Sequence, residues 1–205
     1  MSWILFSSTR SPFVRKVLIA AHETGLSDRL LRQDIETNPM RPSIEVLKVN
    51  PLGMIPTLIA DDEVIFDSLT ILEFLDERSQ TRLFPVGATA RRECLTRHAV
   101  ANGMMDKAVR MLDETFRAEQ NGDTAEHIAG FSDAQLRAAE WMGKRLQANR
   151  FDAGDIAFAS ALAYLDFRFS KINWRSRSPD AAAWFIAVSE RSSMSETAMV
   201  APPKP

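Results

Sequence analysis

Hydrophobic and polar positions follow different patterns in the two parts of this chain. Up to about residue 80, short β-like runs alternate with helical patterns, and after residue 88 only the helical spacing of apolar residues recurs. Strands are predicted at residues 3–6, 30–35, 57–60 and 64–66, and helices at residues 14–24, 43–48 and 68–78. This β-α-β-α-β-β-α order is that of a thioredoxin-like domain. The pattern predicts such a domain at residues 1–80, a linker at 81–87 and an all-helical domain at 88–205.

Within the helical part, the sequence gives several signals for where helices begin and end. A long helical pattern runs from residue 88 to 118, and Asn121-Gly122-Asp123 then breaks it. Ser132 followed by Gln135 is typical of a capping box, so the next helix is predicted to begin there. Ser178-Pro179 predicts the start of a later helix, because proline is favoured in the first turn.

Composition and charge limit the function classes. Hydrophobic residues make up 45% of the chain and charged residues 25%, which is ordinary for a globular protein. A net charge of −2 without a run of Lys or Arg argues against a nucleic-acid or polybasic membrane surface. No apolar segment is long enough for a signal peptide or a membrane span, so a cytoplasmic location is expected. One cysteine, Cys94, and three scattered histidines predict neither a disulfide nor a metal site.

The most informative stretch runs from Asn50 to Pro56 and is followed by Asp67-Ser68. Pro56 has no N–H for a sheet ladder, so it must begin a strand or lie at an edge, which leaves the N–H and C=O of Ile55 available to a ligand. Asp67-Ser68 opens a predicted helix whose first N–H groups would attract a carboxylate. Together these features suit a small extended peptide that has a free carboxylate and a free amine.

This ordered combination resembles the glutathione-binding half of the glutathione S-transferase family, and the helical part matches that family too. In the family the Ile-Pro bond is typically cis, and an acidic residue followed by serine holds the γ-glutamyl group. The resemblance implies glutathione as co-substrate, bound by Ile55, Pro56, Asp67 and Ser68 without a metal, and it implies a homodimer. For Asp67 and Ser68, each judged alone, an ordinary helix cap is the alternative.

The family's thiol chemistry implies a hydroxyl donor in the segment Ser7-Ser8-Thr9-Arg10-Ser11. Such a donor, near a helix N-terminus, lowers the pKa of the glutathione thiol. The segment from Ser11 to Val17 is similar to the Ser-Pro-Phe-x-x-Lys/Arg-Val pattern of the serine-type classes, which places the catalytic role on Ser11. Ser8 and Thr9 are the alternative catalytic hydroxyls, with Ser7 as a further rival, because a small shift of the loop would bring another hydroxyl to the sulfur. A plain N-cap is the alternative role for Ser11.

The remaining site predictions concern the second substrate and the glycyl end of glutathione. Residues that could line a second-substrate pocket are Phe13, Met104, Met105 and Met111. Methionines adapt to irregular hydrophobic ligands, but the same stripe could equally be packed core. Family members often carry Lys, Arg or Gln where this chain has Met54, so Arg41 or Lys48 is the alternative contact for the glycyl end.

The helix that begins near Asp152 and Asp155 is apolar nearly all round from residue 157 to 165, and is therefore predicted to be buried. Asp155 matches the acidic member of the capping box that the family typically has at its central helix. Asp152 replaces the usual hydroxyl and can still accept a bond from a first-turn N–H. Both are interpreted as folding residues.

The resemblance therefore implies a two-domain detoxification enzyme that activates the glutathione thiolate for conjugation to small hydrophobic electrophiles. Glutathione peroxidase and isomerase activities are related outcomes, because each needs the same activated thiol. A non-catalytic glutathione-binding or regulatory protein of this fold is the main alternative, since a fold does not determine an activity. A thiol-disulfide oxidoreductase is disfavoured because residues 7–11 contain no cysteine.

Overall fold

The computed structural model describes residues 2–38, 40–117 and 119–200 of the 205-residue chain. The chain divides into two compact units, and the division between them lies between Pro85 and Val86, inside the predicted linker. Of the described residues, those up to Pro85 and those at 192–200 belong to the first unit, whereas the second unit is Val86–Arg191. The prediction placed residues 192–200 in the helical domain.

The first unit contains a four-stranded mixed sheet and the helices that accompany it. The strands are β1 (Trp3–Ser7), β2 (Leu30–Asp34), β3 (Thr57–Ala60) and β4 (Glu63–Ile65), and the helices are α1 (Pro12–Glu23), α2 (Ile44–Leu47) and α3 (Ser68–Glu77). The strand order is β2-β1-β3-β4, with β1 parallel to β2 and antiparallel to β3, and β3 antiparallel to β4. The predicted thioredoxin-like order of elements is confirmed.

Local sequence explains how this sheet forms. β3 and β4 are joined by Asp61 and Asp62, which both have positive φ values, of 50° and 71°. Two such residues make the tight hairpin turn whose twist matches the flanking strands, and Asp tolerates that conformation better than most residues. Leu5 of β1 and Leu58 of β3 are fully buried, and so are several apolar residues of α1 and α3. The Trp3 ring of β1 packs edge-on against Phe74 of α3. The sheet and these two helices therefore form the core of this unit.

The second unit is all-helical, as predicted. Its helices are α4 (Ala88–Thr115), α5 (Gly122–Gly143), α6 (Ala153–Arg168), α7 (Trp174–Arg177) and α8 (Pro179–Ser189). Every residue of α6 from Ala153 to Leu165 is buried, which confirms the predicted central helix. Asp152 accepts hydrogen bonds from Gly154 N and Asp155 N, and the Asp155 side chain accepts one from Asp152 N, so the two form a capping box.

Close contact between α4 and α6 depends on a glycine. A Cβ placed on Gly154 would lie 2.8 Å from the carbonyl oxygen of Cys94 and 3.0 Å from the Arg97 side chain. Any larger residue would push the two helices apart, so glycine is needed at this position for the observed packing.

The predicted helix start at Ser132 is wrong. Helix α5 begins at Gly122, where Asn121 and Thr124 form a capping box, and Ser132 lies in its interior. The Ser132 hydroxyl instead donates to the carbonyl oxygen of Ile128, one turn earlier, at 2.8 Å. Serine in a helix interior commonly bonds back in this way, so its presence did not mark a terminus. Helix α4 ends at Thr115, and the predicted end of the long helix at Ala118 falls outside the described residues.

Helix α9 (Ser192–Ser195) belongs to the first unit and packs against α1. Among the described residues, no helix is both long enough and apolar enough to cross a membrane.

Candidate functional site

Strand pairing brings three predicted segments to one end of the sheet. β1 pairs with β3 as far as Phe6 and Thr57, so the chain that follows β1 leaves the sheet beside Pro56. β4 pairs with β3 on its other side and runs out of the sheet at the same end, just before Asp67. Neighbouring strands lie about 4.8 Å apart. Residues 8–11, the Ile55-Pro56 pair and Asp67-Ser68 therefore share one edge of the first unit.

The Ile55-Pro56 bond is cis, as the resemblance implies. Pro56 is buried and Ile55 is half-buried, and β3 begins only at Thr57. The backbone N–H and C=O of Ile55 form no hydrogen bond with any described residue. Both groups are thus available to an extended ligand, which the position of Pro56 predicted.

A buried asparagine holds the turn that presents this pair. The Asn50 side chain donates to Thr57 Oγ1 at 2.9 Å and to the Met54 carbonyl at 3.2 Å. Gly53 has a φ of +63°, and a Cβ there would lie 2.9 Å from Pro42, so glycine is required. This role of Asn50 was not predicted from the sequence. Met54 itself is 57% exposed.

Asp67 and Ser68 form the start of α3. Asp67 is exposed and is the N-cap, and its Oδ1 accepts a hydrogen bond from Leu69 N at 3.1 Å. Ser68, the first helical residue, is only 2% exposed, yet its hydroxyl makes no hydrogen bond within the described parts of the chain. The helix end carries partial positive charge, so Ser68 and the first N–H groups can together receive a carboxylate.

Ser11 is the N-cap of α1, and its Oγ accepts a hydrogen bond from Val14 N at 3.3 Å. A hydroxyl has two acceptor lone pairs and one donor hydrogen, and capping occupies only a lone pair. Within residues 2–38, 40–117 and 119–200, the Ser11 hydroxyl donates to no acceptor. Capping and thiolate stabilisation, which the sequence analysis treated as alternatives, can therefore coexist in this residue.

The rival hydroxyls have other surroundings. Ser7 is fully buried, and its Oγ accepts from Arg32 Nε at 3.4 Å. Ser8 Oγ accepts from Arg10 N at 3.4 Å, and both Ser8 and Thr9 line a small cavity that residues 196–198 close from the other side. Ser11 does not line that cavity, and the choice among these hydroxyls stays a prediction.

Two buried cations on α1 lie just behind this edge. Lys16 is fully buried, and burial lowers the pKa of its ammonium to about 7, against the opposing effect of the Asp67 carboxylate. Arg15 is 8% exposed, and burial lowers the pKa of its guanidinium to about 10. The sequence analysis missed both residues. The only signal was the basic position in the Ser-Pro-Phe-x-x-Lys/Arg-Val pattern, which Lys16 occupies.

The second-substrate candidates are not all at a surface. Phe13 is half-buried in the first unit. Met104, Met105 and Met111 are 2%, 0% and 1% exposed in the second unit, and the Met104 carbonyl accepts from Gln135 Nε2 at 2.9 Å. Their burial favours the packed-core alternative, and a role in substrate binding stays a prediction. Arg41 and Lys48, the alternatives for the glycyl end, are both exposed.

Cys94 has the properties of a small core residue. It is fully buried, and burial followed by the nearby Asp152 carboxylate raises the pKa of its thiol to about 12. Its thiol is therefore held in the unreactive, protonated form. Among the described side chains, no group of three or more His, Cys, Asp or Glu residues is arranged to hold a metal ion.

Two sequence profiles match the chain. The glutathione S-transferase N-terminal domain matches residues 10–78, and the glutathione S-transferase C-terminal domain matches residues 125–187. These two regions contain all of the α1, β3, α3 and α6 segments described above.

Solved structures agree with the profiles. A glutathione transferase family member from Pseudomonas fluorescens Pf-5, with bound glutathione, is 36% identical, with a TM-score of 0.92 over 98% of this chain and 100% of that one. A glutathione S-transferase from Methylobacillus flagellatus KT, also with glutathione bound, is 31% identical, with a TM-score of 0.84 over 97% of this chain and 100% of that one.

Similar curated proteins carry other names. An uncharacterised GST-like protein of Escherichia coli K12 is 27% identical over 176 residues, which cover 83% of this chain and 85% of that protein. A stringent starvation protein A homologue of Coxiella burnetii is 33% identical over 91 residues, and the match spans only 42% of its length and 44% of this chain. With both domain profiles matched, and a relative 36% identical along almost its whole length, the chain belongs to the glutathione S-transferase family.

Proposed function

We propose that this protein is a glutathione transferase that holds glutathione at the end of the sheet and activates its thiol with Ser11. The observation that carries the proposal is the convergence, at one edge, of an unpaired Ile55 backbone, an uncommitted Ser68 hydroxyl and the Ser11 cap of α1. The two solved relatives that contain glutathione support glutathione as the co-substrate.

Glutathione binding would use three kinds of contact. The N–H and C=O of Ile55 pair with the peptide backbone of glutathione, in the way an added strand pairs with an open edge. Ser68 donates to the γ-glutamyl carboxylate, which the N-terminus of α3 also attracts. Asp67 assists through the γ-glutamyl amine, because a carboxylate and an ammonium attract each other.

The chemistry follows from the Ser11 hydroxyl. Its hydrogen donates to the sulfur and favours the thiolate over the thiol, and each pKa unit of that preference corresponds to about 1.4 kcal/mol. The thiolate then uses a lone pair to form a C–S bond with a small hydrophobic electrophile, which either loses a leaving group or takes up a proton. Peroxide reduction and glutathione-assisted isomerisation would begin from the same thiolate.

The proposal also includes the oligomeric state, the cellular location and the second-substrate pocket. We propose a homodimer in the cytoplasm, with Phe13 contributing to the second-substrate pocket.

A second candidate, a glutathione-binding protein without transferase activity, is favoured by one observation. The chain is also similar to stringent starvation protein A homologues and to an uncharacterised GST-like protein, whose names specify no transferase reaction.

The test is calorimetric titration of glutathione into the wild type, Ser11→Ala and the matched control Ser8→Ala, with the ultraviolet absorbance of the thiolate recorded for each complex. We expect all three proteins to bind, and only Ser11→Ala to lose thiolate absorbance at neutral pH. Loss of the signal in Ser8→Ala alone would move the role to Ser8. Absence of binding by the wild type contradicts the proposal, whereas tight binding without turnover of an aryl halide supports the non-catalytic alternative.

A further inference from the structure

Arg15 is an unusual residue for its position in α1. It lies one turn after Ser11, whose carbonyl accepts from Arg15 N at 3.0 Å, and only 8% of its surface is exposed. Its Nη2 donates to the carbonyl oxygen of Met194 at 3.0 Å, and its buried Nε has no hydrogen-bond partner among the residues that the structure describes. It forms no ion pair with a carboxylate in the described ranges. Burying a guanidinium without a carboxylate partner lowers the stability of the folded protein, and an apolar side chain of similar size would lower it less.

The partner of Arg15 belongs to the C-terminal segment, defined here as residues 192–200. This segment contains α9 and lies against α1 within the first unit. The Ser193 hydroxyl donates to Glu23 near the end of α1, and Glu196 lies 3.8 Å from His22 Nδ1. Met194 is 3% exposed. The segment is thus packed along α1, and Arg15 makes the contact nearest to the start of that helix.

The same segment reaches the loop that presents Ser11. A cavity of about 20 Å³ separates Ser8 and Thr9 of the loop from Glu196 and Thr197 of the C-terminal segment, and Arg15 lies in its wall. Such a volume holds about one water molecule. The loop and the C-terminal segment therefore face each other at close range, with the Arg15 side chain beside both.

We infer that Arg15 is a positioning residue of the thiolate site: it fastens the C-terminal segment to α1 and so fixes the loop of residues 8–11 that presents the Ser11 hydroxyl. The expected effect on the glutathione thiol rests on the proposed function. The expected effect on the order of residues 8–11 does not depend on that function. Within the described residues, the Arg15 side chain donates to Met194 and forms no hydrogen bond with Ile55, Asp67 or Ser68. Its loss should therefore affect the thiol more than the affinity for glutathione.

The experiment compares Arg15→Met with Arg15→Lys and with the control Arg32→Met. Met fills similar space without the hydrogen bond to Met194, and Lys restores a positive donor. Arg32 also lines the cavity, but it is exposed, and its side-chain bonds go to Ser7 and Asp34. Two readouts are needed: amide hydrogen exchange of residues 8–11 and 192–200, and the pKa of the thiol of bound glutathione, measured by thiolate absorbance.

For Arg15→Met we expect faster exchange in both segments, and a thiol pKa higher by about half a unit or more, which is about a threefold fall in the ratio of thiolate to thiol at a given pH. Arg15→Lys should recover part of both effects, and Arg32→Met should show neither. Should Arg15→Met not fold, the comparison of Arg15→Lys with the wild type decides. Unchanged exchange of residues 8–11 overturns the inference, even if glutathione binds normally. Failure of the wild type to bind glutathione overturns the proposed function instead, and leaves the exchange result to decide the role of Arg15.

Discussion

Two buried arginines, one in each unit, show different uses of a hidden charge. Arg97 of α4 is 4% exposed and forms ion pairs with both Asp152 and Asp155 at the start of α6. Arg15 of α1 is 8% exposed and has a backbone carbonyl as its hydrogen-bond acceptor. Burial disfavours the charge of each. The two carboxylates outweigh that cost and raise the pKa of Arg97, whereas the pKa of Arg15 is lowered to about 10.

The difference distinguishes a buried charge that stabilises the fold, that of Arg97, from a buried charge that we propose positions a site, that of Arg15. Arg97 connects α4 to the capping box of α6, and we interpret its role as structural. Arg15 and its neighbour Lys16 lie on the helix that carries Ser11, and burial lowers the pKa of both. Ionisable groups whose pKa is shifted by burial are concentrated at functional sites, because selection for function tolerates the stability that they lose.

The largest effect is expected from breaking the Arg97 pair. Asp155→Asn removes the negative charge, keeps the shape of the side chain, and leaves a buried guanidinium with one carboxylate fewer. Breaking a buried ion pair from one side costs about 3–5 kcal/mol. We expect the free energy of unfolding, measured by urea denaturation, to fall by an amount in that range.

The control is Asp106→Asn, which removes an exposed i,i+4 pair with Arg110 on the same helix as Arg97. An exposed pair of this kind contributes about 0.3–0.5 kcal/mol. If both substitutions cost equally little, the Arg97 pair does not hold α4 to α6, and the contrast between the two arginines is lost.

A smaller effect, dependent on pH, is expected from Lys16. In the unfolded chain its pKa is near 10.5, and in the folded protein it is about 7. Between these values the unfolded state binds more protons, so the contribution of Lys16 to the free energy of unfolding rises with pH. From pH 7 to pH 10 the wild type should gain about 3 kcal/mol relative to Lys16→Met. Urea denaturation of both proteins across this range measures it.

Lys48→Met serves as the comparison, because Lys48 is exposed in the same unit. It controls for the loss of one ammonium group at the surface of that unit. A difference between Lys16→Met and the wild type that does not change with pH would mean that burial does not hold the Lys16 pKa down, and the electrostatic account of α1 would be wrong.

Local sequence signals were sufficient for much of the site. The proline at position 56 predicted both the start of β3 and the unpaired backbone of Ile55, since a missing N–H constrains the chain by itself. A capping side chain bonds to the backbone only two or three residues away, so the sequence offered the N-cap roles of Asp67 and Ser11 as alternatives to ligand contact. Features of this kind depend on residues that are close in sequence, so they can be predicted from the sequence.

Features that depend on distant packing were missed. Helical spacing places Val14, Val17, Leu18 and Ala21 on one face of α1. Arg15 and Lys16 are buried as well, because α3 and α9 also pack against this helix. Position 194 lies 179 residues from Arg15, and nothing local signals that contact. Ser132 shows the opposite error, in which a local capping signal was overridden by the continuing helix.

The smallest effect compares the caps of the two units. Asp67→Ala removes the N-cap of α3, and Asn121→Ala removes the N-cap of α5. Each should lower the free energy of unfolding by about 1 kcal/mol, because the same kind of bond to a first-turn N–H is lost. Only Asp67→Ala should also weaken glutathione binding, since under the proposed function its carboxylate contacts the γ-glutamyl amine. Urea denaturation and glutathione titration of both variants separate the two roles. Equal loss of stability with equal, unchanged affinity would assign Asp67 to folding alone and leave Ser68 and the Ile55 backbone to hold the ligand.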